Sequence, residues 1–246
     1  MGSVIAMLSG KGGTGKTTAC AGISVALASA GLKVLCVDCD VGLRNLDISL
    51  GLADSNALSF QDVSEGGYPL EQAAIHPDCP NLSFLTAPMN RRVDQINEEA
   101  FRGLIRSARN QFDYILLDAP AGVEGGFHLA SSAADRCIVV TGAGPAAVRD
   151  ASRVGQILEL DGKSDVRLLV NRVDKVMLSI LDQTIDDVMD TAGLPLIGVV
   201  LEDPDVPMAA ATGKSLLRYN KRSATVKAFQ RIAKRIQGYP EPIKIR

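Results

Sequence analysis

The chain has 246 residues, 46% of them hydrophobic and 22% charged, with a formal net charge of −2. That composition suits one globular α/β domain with a large core, and the near-neutral balance excludes a molecule that holds nucleic acid by overall charge. No apolar run reaches membrane-spanning length, and no N-terminal segment joins a basic start, an apolar core and a cleavage site. Residues 4–8, Val-Ile-Ala-Met-Leu, read as a buried strand. They lead into a glycine-rich turn and then an alanine-rich helix, which is expected to stop near Gly31, a left-handed C-cap candidate. Residues 33–38 read as a strand buried on both faces, as parallel strands are. Residues 55–80 are the least periodic stretch and predict short helices and loops. Further buried strands are expected at 82–86, 114–118, 137–140, 166–171 and 196–201. Between them Phe101, Leu104, Ile105 and Ala108 share one helical face, as do Leu181, Ile185, Val188 and Ala192. The last helical pattern covers 224–237. Strands alternating with helices predict a doubly wound, mainly parallel sheet with helices on both faces and a ligand at the carboxyl ends of the strands. One domain over 1–238 and a short tail over 239–246 are expected.

The turn after the first strand is Gly10-Lys11-Gly12-Gly13-Thr14-Gly15-Lys16-Thr17-Thr18. Gly10, Gly15, Lys16 and Thr17 stand at the fixed places of G-x-x-x-x-G-K-[ST]. Glycines allow positive φ and let backbone N–H groups close around phosphate oxygens. The helix N-terminus adds partial positive charge, Lys16 suits the β- and γ-phosphates, and Thr17 offers a hydroxyl to Mg²⁺. The strand before and the helix after complete the context of a nucleotide phosphate site.

Carboxylates gather where later strands end. Asp38 and Asp40 close the second strand, and Asp118 follows four residues of a third. A carboxylate at that edge can hold Mg²⁺ through water beside Thr17. One such aspartate commonly caps a turn; three in a sheet with a phosphate loop point to the metal.

Lys11 is not required by the general phosphate-loop pattern. The string from Lys11 to Thr18 resembles the deviant P-loop of the ParA/MinD ATPase family, which has a P-loop NTPase fold. Asp40-Val41-Gly42-Leu43-Arg44-Asn45-Leu46-Asp47 looks like the first switch of the MinD, or septum-site-determining, branch. Asp118-Ala119-Pro120-Ala121-Gly122 is similar to its second switch, and Val148-Arg149-Asp150 to a following element. Glu202-Asp203-Pro204-Asp205-Val206 resembles the acidic loop after its last strand, with Leu201 where a proline is common. The resemblance runs from Val4 to about Gly238. It implies a Mg²⁺-dependent ATPase that uses ATP/ADP and dimerises on ATP as a spatial switch in division-site placement. By that resemblance Lys11 reaches the partner subunit's nucleotide, Lys16 stabilises the transferred phosphoryl group and Asp40 positions the attacking water. Gly10 through Thr18, Asn171, Arg172, Glu202 and Asp203 would bind nucleotide, Thr17, Asp38, Asp40 and Asp118 would serve the metal, and Lys11 and Asn45 would meet the second subunit. A division-inhibitor or topological-specificity protein is the implied partner.

Other readings compete at particular residues. Asn171 followed by Asp174 imitates the guanine-reading N-K-x-D, which leaves GTP as the alternative to ATP. Cys36 and Cys39 form a C-x-x-C, although zinc needs four ligands and only two are visible. The five cysteines make no secreted-type framework, and His76 and His128 stand isolated. The nitrogenase iron protein and the cluster-scaffold ATPases carry cluster cysteines that have no counterpart here. Ten of the 26 Lys/Arg but only one of the 28 Asp/Glu lie from Ala211 onward. That asymmetry suits an anionic surface, either lipid or the nonspecific DNA of a ParA-type partition ATPase. The flagellar-number ATPases are a further relative, though their switches usually differ at Arg44 and at Pro120-Ala121. Val226, Phe229, Ile232, Ala233 and Ile236 form an apolar stripe expected to pack on the core. The two prolines in residues 238–246 cannot make the amphipathic membrane helix usual in the MinD branch. The expected location is cytoplasmic, with peripheral contact at the inner face of the cell membrane resting on the basic residues and expected to be weak.

Overall fold

The apolar run at the start of the chain forms β1 (Ser3–Leu8) in the computed structural model, which describes residues 1–53, 55–180 and 182–243. The other strands are β2 (Val34–Asp38), β3 (Ala74–His76), β4 (Cys79–Leu85), β5 (Tyr114–Asp118), β6 (Arg136–Thr141), β7 (Asp165–Val173) and β8 (Leu196–Leu201). The helices are α1 (Lys16–Ser29), α2 (Leu46–Leu50), α3 (Phe60–Ser64), α4 (Glu98–Ala108), α5 (Gly126–Ala133) and α6 (Pro145–Leu160). They continue with α7 (Lys175–Ile180), α8 (Ile185–Ala192), α9 (Asp205–Ala211), α10 (Leu216–Tyr219) and α11 (Ala224–Ile236). Among the described residues these eight strands join one sheet in the order β3-β4-β2-β5-β1-β6-β7-β8. Every pairing is parallel except the β3–β4 hairpin.

Parallel neighbours require crossover connections, so helices cover both faces of the sheet. β1 feeds both layers. Val4, Ala6 and Leu8 join Phe101 of α4, Phe127 of α5 and Val154 of α6. Ile5 and Met7 join Ile23 and Leu27 of α1 and Phe229 of α11. With both faces buried, no polar residue alternates along the strand. The doubly wound fold is the one expected.

Several boundaries differ from expectation for local reasons. The 55–80 stretch holds α3 but also β3, a three-residue strand whose Ile75 is exposed. It is too short and too exposed to show a period. β4 starts earlier, at Cys79, and β7 runs on to Val173, because pairing with β3 (His76 to Cys79) and with β8 (Val173 to Leu201) continues there. α8 begins at Ile185, capped by Thr184 in a capping box with Asp187. Leu181, placed on the same helical face, lies outside the described residues, as do residues 244–246 of the tail.

The apolar stripe of α11 is buried as expected, and the helix lies on α1 and β8. Its close approach to α1 depends on Gly22, where a Cβ would collide with the Phe229 ring. Gly22→Val is therefore expected to lower stability by about 1–3 kcal/mol, the usual cost of overpacking. A fall in the urea midpoint at unchanged slope would register it; an unchanged midpoint would mean that this helix pair repacks freely.

Candidate nucleotide site

Strand register sets the site. Asp38 of β2 and Asp118 of β5 are direct partners, and Asp118 also pairs with Met7 of β1. Both carboxylates therefore stand at the carboxyl edge, next to the strand that runs into the glycine turn. Gly13 (φ 81°) and Gly15 (φ 80°) are left-handed in that turn, and Gly15 is the N-cap of α1. A side chain at Gly15 would strike the Asn171 amide.

The end of β7 holds the turn from one side. Asn171 Nδ2 donates to Thr14 O at 2.8 Å, and Arg172 Nη1 donates to Gly13 O at 2.8 Å. Arg172 is itself left-handed (φ 55°) and its Nε donates to Glu202 Oε2 at 2.9 Å. On the other side a Cβ at Gly12 or Gly13 would meet nothing within 4 Å. The buried hydroxyls of Ser9 and Thr14 have no partner, and the first turn of α1 carries no acid. Open space, unpaired hydroxyls and a free helix N-terminus together fit phosphate oxygens.

Lys16 and Asp118 are both buried and form an ion pair at 2.8 Å, with side-chain exposures of 7% and 1%. Burial opposes the Lys16 charge, but Asp118 outweighs it and raises the pKa. Asp118, expected beside the metal, and Lys16, expected on phosphate, thus satisfy each other in the protein alone. Asp40 is half-buried; burial chiefly raises its pKa, against the attraction of Lys16. Thr17 and Thr18 are half-buried, while Lys11 and Asn45 are exposed.

Asp38 does something the sequence did not suggest. Its Oδ1 accepts from the Asp40 N–H at 2.9 Å, and its Oδ2 from the Asn45 and Leu46 N–H groups, each at 3.1 Å. Its carboxylate ties down the 40–46 loop from below. Burial, reinforced by Asp118, pushes its pKa up to about 6 against those hydrogen bonds. The folded state therefore keeps a proton that the unfolded chain releases, and this contribution to stability is lost as pH rises from about 4 through about 6. In magnesium-free protein Asp38→Asn should gain on the wild type across that window, by roughly 2 kcal/mol. Parallel pH profiles of urea unfolding for the two proteins would contradict the shift.

A cleft of about 320 Å³ runs from Gly15 and Thr18 past Asn171 and Arg172 to Leu201, Glu202, Asp203, Ala210 and Thr225. It places the expected Asn171, Arg172, Glu202 and Asp203 in one wall beside the glycine turn. Thr225 was not foreseen there, because nothing near it in sequence marks a site. Asp174 lies apart in role: its Oδ1 accepts from Val176 and Met177 N–H, at 2.8 and 3.3 Å, and starts α7. The C-x-x-C reading also fails on geometry. Cys36 and Cys39 belong to opposite core layers, and Cys36 instead lies 3.7 Å from Cys20, sulfur to sulfur. Among the described residues no three His, Cys, Asp or Glu side chains converge to hold a metal ion unaided.

Comparison with known proteins bears on this arrangement. The pattern of the CobQ/CobB/MinD/ParA nucleotide binding domain matches residues 5–217. A septum site-determining protein MinD of Synechocystis sp. is 38% identical over 244 residues, covering 98% of this chain and 92% of that protein. The solved MinC:MinD cell division complex of Aquifex aeolicus superposes with a TM-score of 0.90 at 34% identity, covering 98% of each chain. MinD of Pyrococcus horikoshii complexed with Mg-ADP gives a TM-score of 0.84 at 31% identity, covering 96% of each.

Proposed function

The chain belongs to the CobQ/CobB/MinD/ParA nucleotide-binding family, and from that premise we infer that it is a Mg²⁺-dependent ATP hydrolase of the MinD type, acting in division-site placement. The observation that carries the chemistry is the buried Lys16–Asp118 pair beside an open glycine turn. Lys16 exchanges Asp118 for phosphate oxygens when ATP enters, so a buried cation keeps a partner throughout. Water held by Asp40 attacks the γ-phosphorus, the bond to the β–γ bridging oxygen breaks, and ADP and phosphate result. Thr17, with Asp40 and Asp118 through water, would hold Mg²⁺, which supplies charge neutralisation on the transferred group.

Two ATP-bound subunits pair face to face, each presenting its exposed Lys11 to the other's nucleotide, with Asn45 at the interface. The partner class is a division inhibitor, supported by the MinC:MinD complex of the Aquifex neighbour. Lys227 and Lys234 are exposed on the outer side of α11, with Lys221 and Arg222 before it. These charges support peripheral contact with an anionic membrane, reversible and salt-sensitive where charge alone acts.

Asp40→Ala separates binding from hydrolysis. It is expected to double in mass with Mg-ATP while turnover falls by roughly 10²–10⁴-fold, the usual contribution of a positioned proton acceptor. A variant that stays monomeric by light scattering, or that turns over normally, would count against the role assigned to Asp40.

A further inference from the structure

β7 leaves the regular ladder near its end. Its pairing with β8 shifts register between Val170 and Val173, and Arg172 within that gap is left-handed (φ 55°). Successive side chains of a regular strand face opposite sides, but this irregularity lets Asn171 and Arg172 both reach the glycine turn. A side chain in the left-handed region is strained, and such strain persists only where the surroundings hold it. Glu202, just past β8, grips the Arg172 guanidinium along one edge, accepting from Nε at 2.9 Å and Nη2 at 3.3 Å. The planar fork leaves Nη1 at the far end, where it donates to Gly13 O at 2.8 Å.

Those contacts fix the orientation of two successive peptide groups. In a trans peptide the C=O and the N–H point in opposite directions. Arg172 draws the Gly13 carbonyl to its side, which turns the Thr14 N–H away from it. Asn171 Nδ2, donating to Thr14 O at 2.8 Å, does the same for the Gly15 N–H. No backbone carbonyl among the described residues accepts from either N–H. Away from β7 the turn is open, since a Cβ at Gly12 or Gly13 would meet nothing within 4 Å. Successive N–H groups turned to one open side make a seat for an anion.

We propose that Arg172 is a positioning residue for the polyphosphate, fixing with Asn171 the peptide N–H groups that receive it, and that Glu202 acts through Arg172. Glu202 is then neither a base contact nor a phosphate ligand. A carboxylate on the wall of a phosphate site repels the ligand, so charge alone predicts tighter binding without it. Loss of the grip on Arg172 predicts the reverse. This rests on reading the glycine turn as the phosphate site of the ATPase.

The experiment measures dissociation constants of Mg-ADP and of inorganic tripolyphosphate, which has no base. The proteins are the wild type, Arg172→Ala, Glu202→Ala and the double variant. Arg172→Ala should weaken both ligands by about tenfold. Glu202→Ala should weaken both by about threefold, within the range of an exposed ion pair of good geometry. In the Arg172→Ala background it should weaken neither further. Tripolyphosphate binding unchanged or tightened in Glu202→Ala would overturn the role of Glu202. Loss of ADP affinity in Arg172→Ala with tripolyphosphate unchanged would make Arg172 a base contact and end the proposal, while the phosphate site stands. If tripolyphosphate does not displace ADP from the wild type, the phosphate reading itself fails and takes the proposal with it.

Discussion

Lys16→Ala is expected to reduce ATP turnover by roughly 10²–10³-fold or more, since in the mechanism proposed above the buried Lys16 meets charge building on the transferred phosphoryl group. The same substitution should also cost stability, because Asp118, 1% exposed, loses its ion-pair partner. Removing one member of a buried pair typically costs about 3–5 kcal/mol. The two effects can be separated. Lys16→Ala combined with Asp118→Asn removes the stranded charge and should recover much of the stability but none of the turnover. Recovery of turnover in the double variant would show that Lys16 acts by holding Asp118 rather than by stabilising phosphate.

Lys11→Ala is expected to have an equally large effect on turnover with almost none on the fold. Lys11 is exposed, so its removal should change stability by no more than about 0.5 kcal/mol. If it reaches the second subunit's nucleotide, it resembles a cationic finger supplied in trans, and such groups contribute about 10³–10⁵-fold to turnover. Affinity for ADP in the monomer should stay close to that of the wild type. Steady-state ATPase rates beside nucleotide titrations would check both halves, and near-normal turnover would remove the trans-lysine mechanism.

The phosphate turn and most strands were legible because their signals are local. The spacing from Gly10 to Thr17 has few other uses, and parallel strands buried on both faces show as unbroken apolar runs such as 4–8 and 114–117. β3 was not legible, being a short edge strand that owes its existence to pairing with β4. Neither was the partner of Lys16, which lies 102 residues away along the chain. Asp38 illustrates a subtler limit. Its position at a strand end suggested the metal, and its oxygens also accept three backbone N–H groups of the loop that follows, which the spacing did not reveal. Spacing placed it at the right edge but could not say which way its oxygens face. Cys36 and Cys39 have the spacing of a metal pair but, as the lack of further ligands suggested, are buried core cysteines. Three residues apart in sequence, they fall into different core layers as the chain leaves β2.

A catalytic site shared between two subunits is open to complementation. Lys11→Ala and Asp40→Ala should each be inactive alone. In a mixed dimer, the nucleotide of the Lys11→Ala subunit has its own Asp40 and the intact Lys11 of the other chain. Mixing the two inactive proteins with Mg-ATP should therefore restore a substantial share of wild-type turnover, rising with protein concentration. No activity on mixing, although light scattering shows that the mixed dimer forms, would contradict a site shared between subunits.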